Sequence, residues 1–128
     1  MNKARILVVD DEPSFNRLMK IVLEGTGRYT VHGECDSTQA IETARQFQPD
    51  LIVLDMIMPK VDGMSIAETL RSDAQFLRTP IVFLTATVPG NETGPTTIAS
   101  FPVHAKPIAG DDLMRIIDHQ LASARSAI

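Results

Sequence analysis

Four short apolar runs in this chain each stop at a polar residue, and few architectures accommodate that pattern. Ile6-Leu7-Val8-Val9 stops at Asp10-Asp11, Leu51-Ile52-Val53-Leu54 at Asp55, and Ile81-Val82-Phe83-Leu84 at Thr85. A weaker run, Val103-His104-Ala105, stops at Lys106-Pro107. Unbroken aliphatic and β-branched runs of this length suit strands buried on both faces, as in a parallel sheet. Parallel strands point the same way, so their carboxyl ends meet along one edge, where open α/β sheets place their sites. The pattern predicts three carboxylates, a hydroxyl and an ammonium along one rim.

Helical signals fill the intervals. Phe15, Leu18, Met19, Val22 and Leu23 recur at helical spacing, with Gly25 and Gly27 as the stop. Residues 29–35 alternate and are more polar, as an edge strand is. Asp36 or Ser37 caps a helix carrying Ala40, Ile41, Ala44 and Phe47, which ends before Pro49. Met64, Ala67 and Leu70 mark the next helix. It follows a loop shaped by Met58-Pro59 and Asp62-Gly63, with Asp62 as a cap and Gly63 expected to supply a special backbone angle. Leu113, Ile116, Ile117 and Leu121 mark the last helix, which begins near Gly110-Asp111-Asp112. Residues 88–95 hold two prolines and two glycines and should not form a continuous helix, leaving 96–100 as a short helical turn at most. The expectation is an α/β fold: a doubly wound, five-stranded parallel sheet with a degraded or missing fourth helix.

At 128 residues the chain is expected to form one domain spanning 1–128. No apolar stretch approaches the ~20 residues needed to cross a bilayer. The first residues lead directly into a strand and lack a signal peptide's apolar core and cleavage site. The single cysteine, Cys35, cannot make an internal disulfide. Both features fit a cytoplasmic setting. A net charge of -4 with no Lys/Arg cluster disfavours a nucleic-acid surface.

Three clustered carboxylates need a counter-charge. Two of them about 4 Å apart repel by ~4 kcal/mol at an effective dielectric near 20. Either one is protonated or a cation sits among them. Aspartate oxygens with a few waters suit Mg²⁺, and Lys106 can neutralise a further charge. Taken singly, each aspartate also reads as a loop start or a helix cap; the ordered set with Thr85 and Lys106 does not.

Val9-Asp10-Asp11-Glu12-Pro13, then Leu54-Asp55-Met56-Ile57-Met58-Pro59-Lys60-Val61-Asp62-Gly63, then Leu84-Thr85-Ala86, then Lys106-Pro107 together resemble the four signatures of the response-regulator receiver domain of two-component signalling. The resemblance covers essentially the whole chain. It implies the flavodoxin-like strand order 2-1-3-4-5. It also implies Asp55 as the phospho-acceptor, attacking the phosphoryl group carried by a histidine kinase or phosphotransfer protein. Asp11 would ligate Mg²⁺ directly and Asp10 largely through water, with Asp55 and the backbone carbonyl of Ile57 completing the protein ligands. Lys106 and the metal would neutralise the phosphoryl oxygens, and Thr85 would donate its hydroxyl to one of them after transfer. A cis peptide would join Lys106 and Pro107. Output would run through altered protein–protein contacts with an unknown downstream target. Neither nucleic acid nor membrane is implied as a partner, nor an independent substrate that would make the chain an enzyme.

Three departures from the family pattern stand out. Val103 occupies a position that usually carries Tyr or Phe, and the nearest aromatic is Phe101. The Pro/Gly-rich segment replaces the fourth helix, which suggests that phosphorylation orders this loop instead of flipping a ring. Ile57 and Thr87 fill the two positions that tune dephosphorylation in relatives, and an apolar Ile57 predicts a long-lived phosphoryl group. Glu12 reads as the edge of the site, His32 and His119 as surface residues, and His104 as a residue near the switching face. Two other classes compete. One is a phosphate-independent interaction module on the same scaffold. The other is an aspartyl-phosphate phosphatase, which would need a second aspartate where Ile57 stands.

Overall fold

The computed structural model describes residues 3–86 and 96–126. Each apolar run forms a strand: β1 is Ala4–Val9, β3 Leu51–Asp55, β4 Ile81–Thr85 and β6 Phe101–Ala105, with β2 at Tyr29–Glu34 and β5 at Thr96–Ile98. The helices are α1 Pro13–Glu24, α2 Ala40–Phe47, α3 Gly63–Arg71 and α4 Gly110–Ser126. The sheet runs β2-β1-β3-β4-β6-β5, and all neighbours except β5–β6 pair in parallel. The expected parallel order of five strands therefore stands, with β6 as its fifth member and β2 at one edge.

A core layer lies on each side of the sheet. Ile6, Val8, Val53, Val82 and Leu84 face Met19 and Leu23 of α1 and Leu113 and Ile117 of α4. Leu7, Val9, Ile52, Leu54 and Phe83 face Ala40 and Ala44 of α2 and Ile66, Ala67 and Leu70 of α3. Strands covered on both faces need apolar residues at every position, which is why these runs are unbroken.

Three details depart from the sequence reading. The sheet has six strands, because residues 96–98 form β5 antiparallel to β6 in place of a short helical turn. Thr96, Thr97 and Ile98 are all β-branched and favour extended backbone. Ala99 (φ 51°) and Ser100 (φ 73°) then make a two-residue turn whose left-handed pair suits a twisted hairpin. Among the described residues no helix lies between β4 and β6; residues 87–95, including Thr87 and the 88–95 loop, lie outside them. Leu18, placed inward by its spacing, is half exposed, and Asn16 takes the buried position on α1. Gly63 does not adopt a positive φ; Gly27 alone among the described glycines does, at 78°. Gly63 is required for a different reason: a Cβ there would lie 2.1 Å from the Asp55 carbonyl oxygen.

Candidate functional site

The strand register carries the polar residues to one rim. Val9 lies opposite Leu54, Asp55 opposite Leu84 and Thr85 opposite Ala105, so Asp10, Asp55, Thr85 and Lys106 leave the sheet side by side. Asp10 (2% exposed), Asp55 (8%) and Thr85 (1%) are buried polar residues in an otherwise apolar interior. Carboxylate oxygens of Asp10, Asp11 and Asp55 all lie within 4.8 Å of one another. Lys106 pairs closely with Asp10 and lies 3.6 Å from Asp55 Oδ2. Its ammonium also sits 4.3 Å from the centre of the Phe15 ring, which walls the site on the α1 side.

Main-chain contacts lock these groups. Asp10 Oδ1 accepts from the Glu12 amide at 3.0 Å, and its own amide donates to Glu34 O at 3.1 Å. Asp55 Oδ1 accepts from the Ile57 amide at 3.4 Å. The Lys106 amide donates to Thr85 O at 2.9 Å, tying the ends of β4 and β6, and the Lys106–Pro107 peptide is cis. The loop after Asp55 is pinned from α2's side: Ser37 Oγ donates to Pro59 O at 2.7 Å and accepts from the Val61 amide at 3.2 Å. Asp62 caps α3, accepting from the Ser65 amide at 2.8 Å, and these amide contacts hold its carboxyl below the usual range.

Electrostatics single out Asp55. Burial pushes its carboxyl above the ordinary aspartate value; Asp10 and Asp11 add to the push, and Lys106 opposes it without prevailing. Burial pulls the Lys106 ammonium downward, but Asp10 and Asp55 more than reverse this, so it is held charged. The site thus concentrates negative charge that one lysine only partly balances. Three convergent carboxylate oxygens in that condition fit a small hard divalent cation.

The remaining predicted residues are dispersed. The Ile57 side chain is 67% exposed at the mouth of the site. Glu12 is exposed and contributes its amide. His32 is exposed and packs on the Phe47 ring, and His119 is exposed on α4. His104 faces a groove of about 370 Å³ with Pro102, Ile116 and His119, and burial holds its imidazole below the usual histidine range. Val103 is buried opposite Phe83 on β4, and Phe101 packs edge-on against that ring at 5.6 Å. Phe15 is legible in the sequence only as a member of a helical stripe and Asn16 carries no sequence signal, yet both reach the site.

Comparison with known proteins gives a consistent picture. The response regulator receiver domain family matches residues 6–118. The response regulator Rre1 of Synechocystis sp. is 33% identical over 95% of this chain and 53% of its own length. The DNA-binding response regulator MtrA of Mycolicibacterium smegmatis is 44% identical over 66% of this chain and 35% of its own length. The chain therefore spans about half or less of these curated relatives. Among solved structures, the chemotaxis response regulator CheY4 of Vibrio cholerae superposes with a TM-score of 0.79 at 26% identity, covering 92% of this chain and 98% of its own. A response regulator from Chloroflexus aurantiacus gives 0.82 at 25% identity, covering 94% and 99%.

Proposed function

This chain belongs to the response regulator receiver domain family, and from that premise we propose that it is a Mg²⁺-dependent phospho-acceptor of a two-component phosphorelay. The convergence of Asp10, Asp11 and Asp55 within 4.8 Å, with Lys106 against two of them, carries the reading. Asp55 is the acceptor: a carboxylate oxygen bonds to phosphorus as the bond from phosphorus to the donor histidine's nitrogen breaks, and that nitrogen keeps the electron pair, leaving aspartyl phosphate and, with the proton already on the other ring nitrogen, neutral imidazole. The donor is a histidine kinase or phosphotransfer protein. Asp10, Asp11, Asp55 and the Ile57 carbonyl would hold Mg²⁺. When bound, the ion would supply positive charge to neutralise that of the transferring phosphoryl group. Lys106 supplies a second positive charge, and Thr85 donates its hydroxyl to a phosphoryl oxygen after transfer. Residues 1–128 act as one receiver unit in the cytoplasm and signal through contacts with a downstream protein, without turning over an independent substrate. A phosphate-independent module is not favoured, because it has no use for buried carboxylates that raise one another's energy.

Intact mass after incubation with acetyl phosphate tests this directly: one phosphoryl group is gained with Mg²⁺ and none with chelator, and no gain under saturating Mg²⁺ sinks the reading. Mg²⁺ should also raise the thermal midpoint, since a cation at 100 times its Kd contributes about 2.7 kcal/mol. Asp11→Ala should remove that rise, and an equal rise in the variant would place the ion elsewhere. The exposed, apolar Ile57 offers no group to orient an attacking water. Ile57→Asn is therefore expected to shorten the phosphoryl lifetime, measured as the decay of the phosphorylated mass after donor removal. An unchanged decay would separate lifetime from this side chain.

A further inference from the structure

Asn16 occupies a place where an apolar residue would be cheaper. It lies on the inward face of α1 with Met19 and Leu23, and is 7% exposed. Its Nδ2 donates to the main-chain carbonyl of Asp10 at 3.0 Å, while its Oδ1 is buried with no hydrogen-bond partner among the described residues. Reversing the amide would set Oδ1 against the Asp10 carbonyl, acceptor on acceptor, so the orientation is fixed by chemistry. An orphaned buried acceptor is destabilising, because its lost hydration is not replaced by a hydrogen bond. The seat that receives Asn16 is equally particular: a Cβ on Gly33 of β2 would lie 2.8 Å from the Asn16 Cβ.

These contacts complete the clamp on Asp10. Its amide is held by Glu34, its Oδ1 by the Glu12 amide, its Oδ2 by Lys106, and its carbonyl by Asn16. That carbonyl begins the turn that presents Asp11. We propose that Asn16, seated on Gly33, is a positioning residue that aims the Asp10–Asp11 turn at the cation, and that its unpaired Oδ1 is tolerated for that purpose. The inference rests on the reading of Asp10, Asp11 and Asp55 as Mg²⁺ ligands. A purely structural residue at this position would be improved by an apolar side chain of similar size; a positioning residue would not.

Calorimetric titration with Mg²⁺, thermal melting in chelator, and metal-free amide exchange at Asp11 and Glu12 separate these roles. Asn16→Leu removes the orphan acceptor but leaves the Asp10 carbonyl unpaired, so its metal-free thermal midpoint should stay near the parent's. Its Mg²⁺ affinity should fall about tenfold, the lower end of the effect of losing a group that orients a metal ligand. Exchange at Asp11 and Glu12 should quicken. Gly33→Ala should displace α1 and give a similar loss of affinity, and Asn16→Ala/Gly33→Ala should lose no more than either single variant. If Asn16→Leu folds poorly, Asn16→Ala carries the same comparison. Parental affinity with parental exchange in a folded variant overturns the inference and leaves the site's function standing. Affinity lost only in proportion to stability also overturns it. A parent that takes up no Mg²⁺ overturns both.

Discussion

Asp55→Asn is expected to abolish phosphoryl uptake and at the same time to raise the thermal midpoint of the metal-free protein. The first effect follows from chemistry, since a neutral amide is a poor nucleophile toward phosphorus. The second follows from the carboxyl's surroundings. Burial lifts Asp55 above the usual aspartate value, with Asp10 and Asp11 adding to it, and Lys106 at 3.6 Å does not compensate. A carboxyl whose folded value exceeds its unfolded one binds its proton more tightly in the native state. Its favourable contribution is therefore present at acid pH and declines as pH rises from about 4 through the folded value. The asparagine variant lacks this decline, so its advantage over the parent should open across that window and persist at neutral pH. Melting in chelator at several pH values measures it, alongside intact mass with acetyl phosphate and Mg²⁺. A variant that still gains phosphate would move the acceptor elsewhere. A variant that melts lower at neutral pH would mean that the ion pair with Lys106 outweighs burial.

The opposed outcomes at Asp55 bear on how much of this molecule is legible in its sequence. Strands buried on both faces announce themselves as unbroken apolar runs, and the residue ending each run must lie at the rim. Asp10, Asp55, Thr85 and Lys106 could therefore be placed together before any coordinates. Asp62 was equally legible, because a cap is a local hydrogen bond with a local sequence signal. What escaped depends on which neighbour lies across a gap. Ser37 reads as a cap, yet its hydroxyl ties the loop after Asp55 through Pro59 and Val61. Asn16 lies outside the helical stripe that includes Leu18, but the helix is rotated so that Asn16 points inward and Leu18 outward. Three β-branched residues after a Pro/Gly stretch fall in a segment whose sequence suggests a short helical turn at most, and pairing with β6 makes them a strand. In each case tertiary contact overrides a local preference that the sequence states weakly.

Gly63→Ala should be among the most damaging single-methyl changes available in this chain, and its sign separates two explanations of the glycine. Gly63 is the first residue of α3, with ordinary helical backbone. On backbone preference alone, alanine there would stabilise the helix by up to about 1 kcal/mol. Contact predicts the reverse. The added Cβ would lie 2.1 Å from the Asp55 carbonyl oxygen and 2.9 Å from the Met56 Cα, and neither is the end of a flexible side chain. Relief by a small local shift is blocked, because the Gly63 amide donates to Met56 O at 2.9 Å and Asp62 caps the same turn. Either α3 lifts from the sheet, loosening Ile66, Ala67 and Leu70 in the core, or the end of β3 moves and carries the Asp55 carboxylate with it. Overpacking of this severity is expected to cost about 3 kcal/mol or more. By contrast, Gly27→Ala, at a positive φ with nothing within 4 Å, should cost only about 1 kcal/mol. Denaturant unfolding of the two variants gives the comparison. The Gly63 variant should also take up phosphate more slowly, in whatever fraction remains folded, because its clash is with the phospho-acceptor's own main chain. If Gly63→Ala proved neutral or stabilising, α3 would be free to slide along β3, and the placement of Asp55 would have to rest on Lys106 and the Ile57 amide alone.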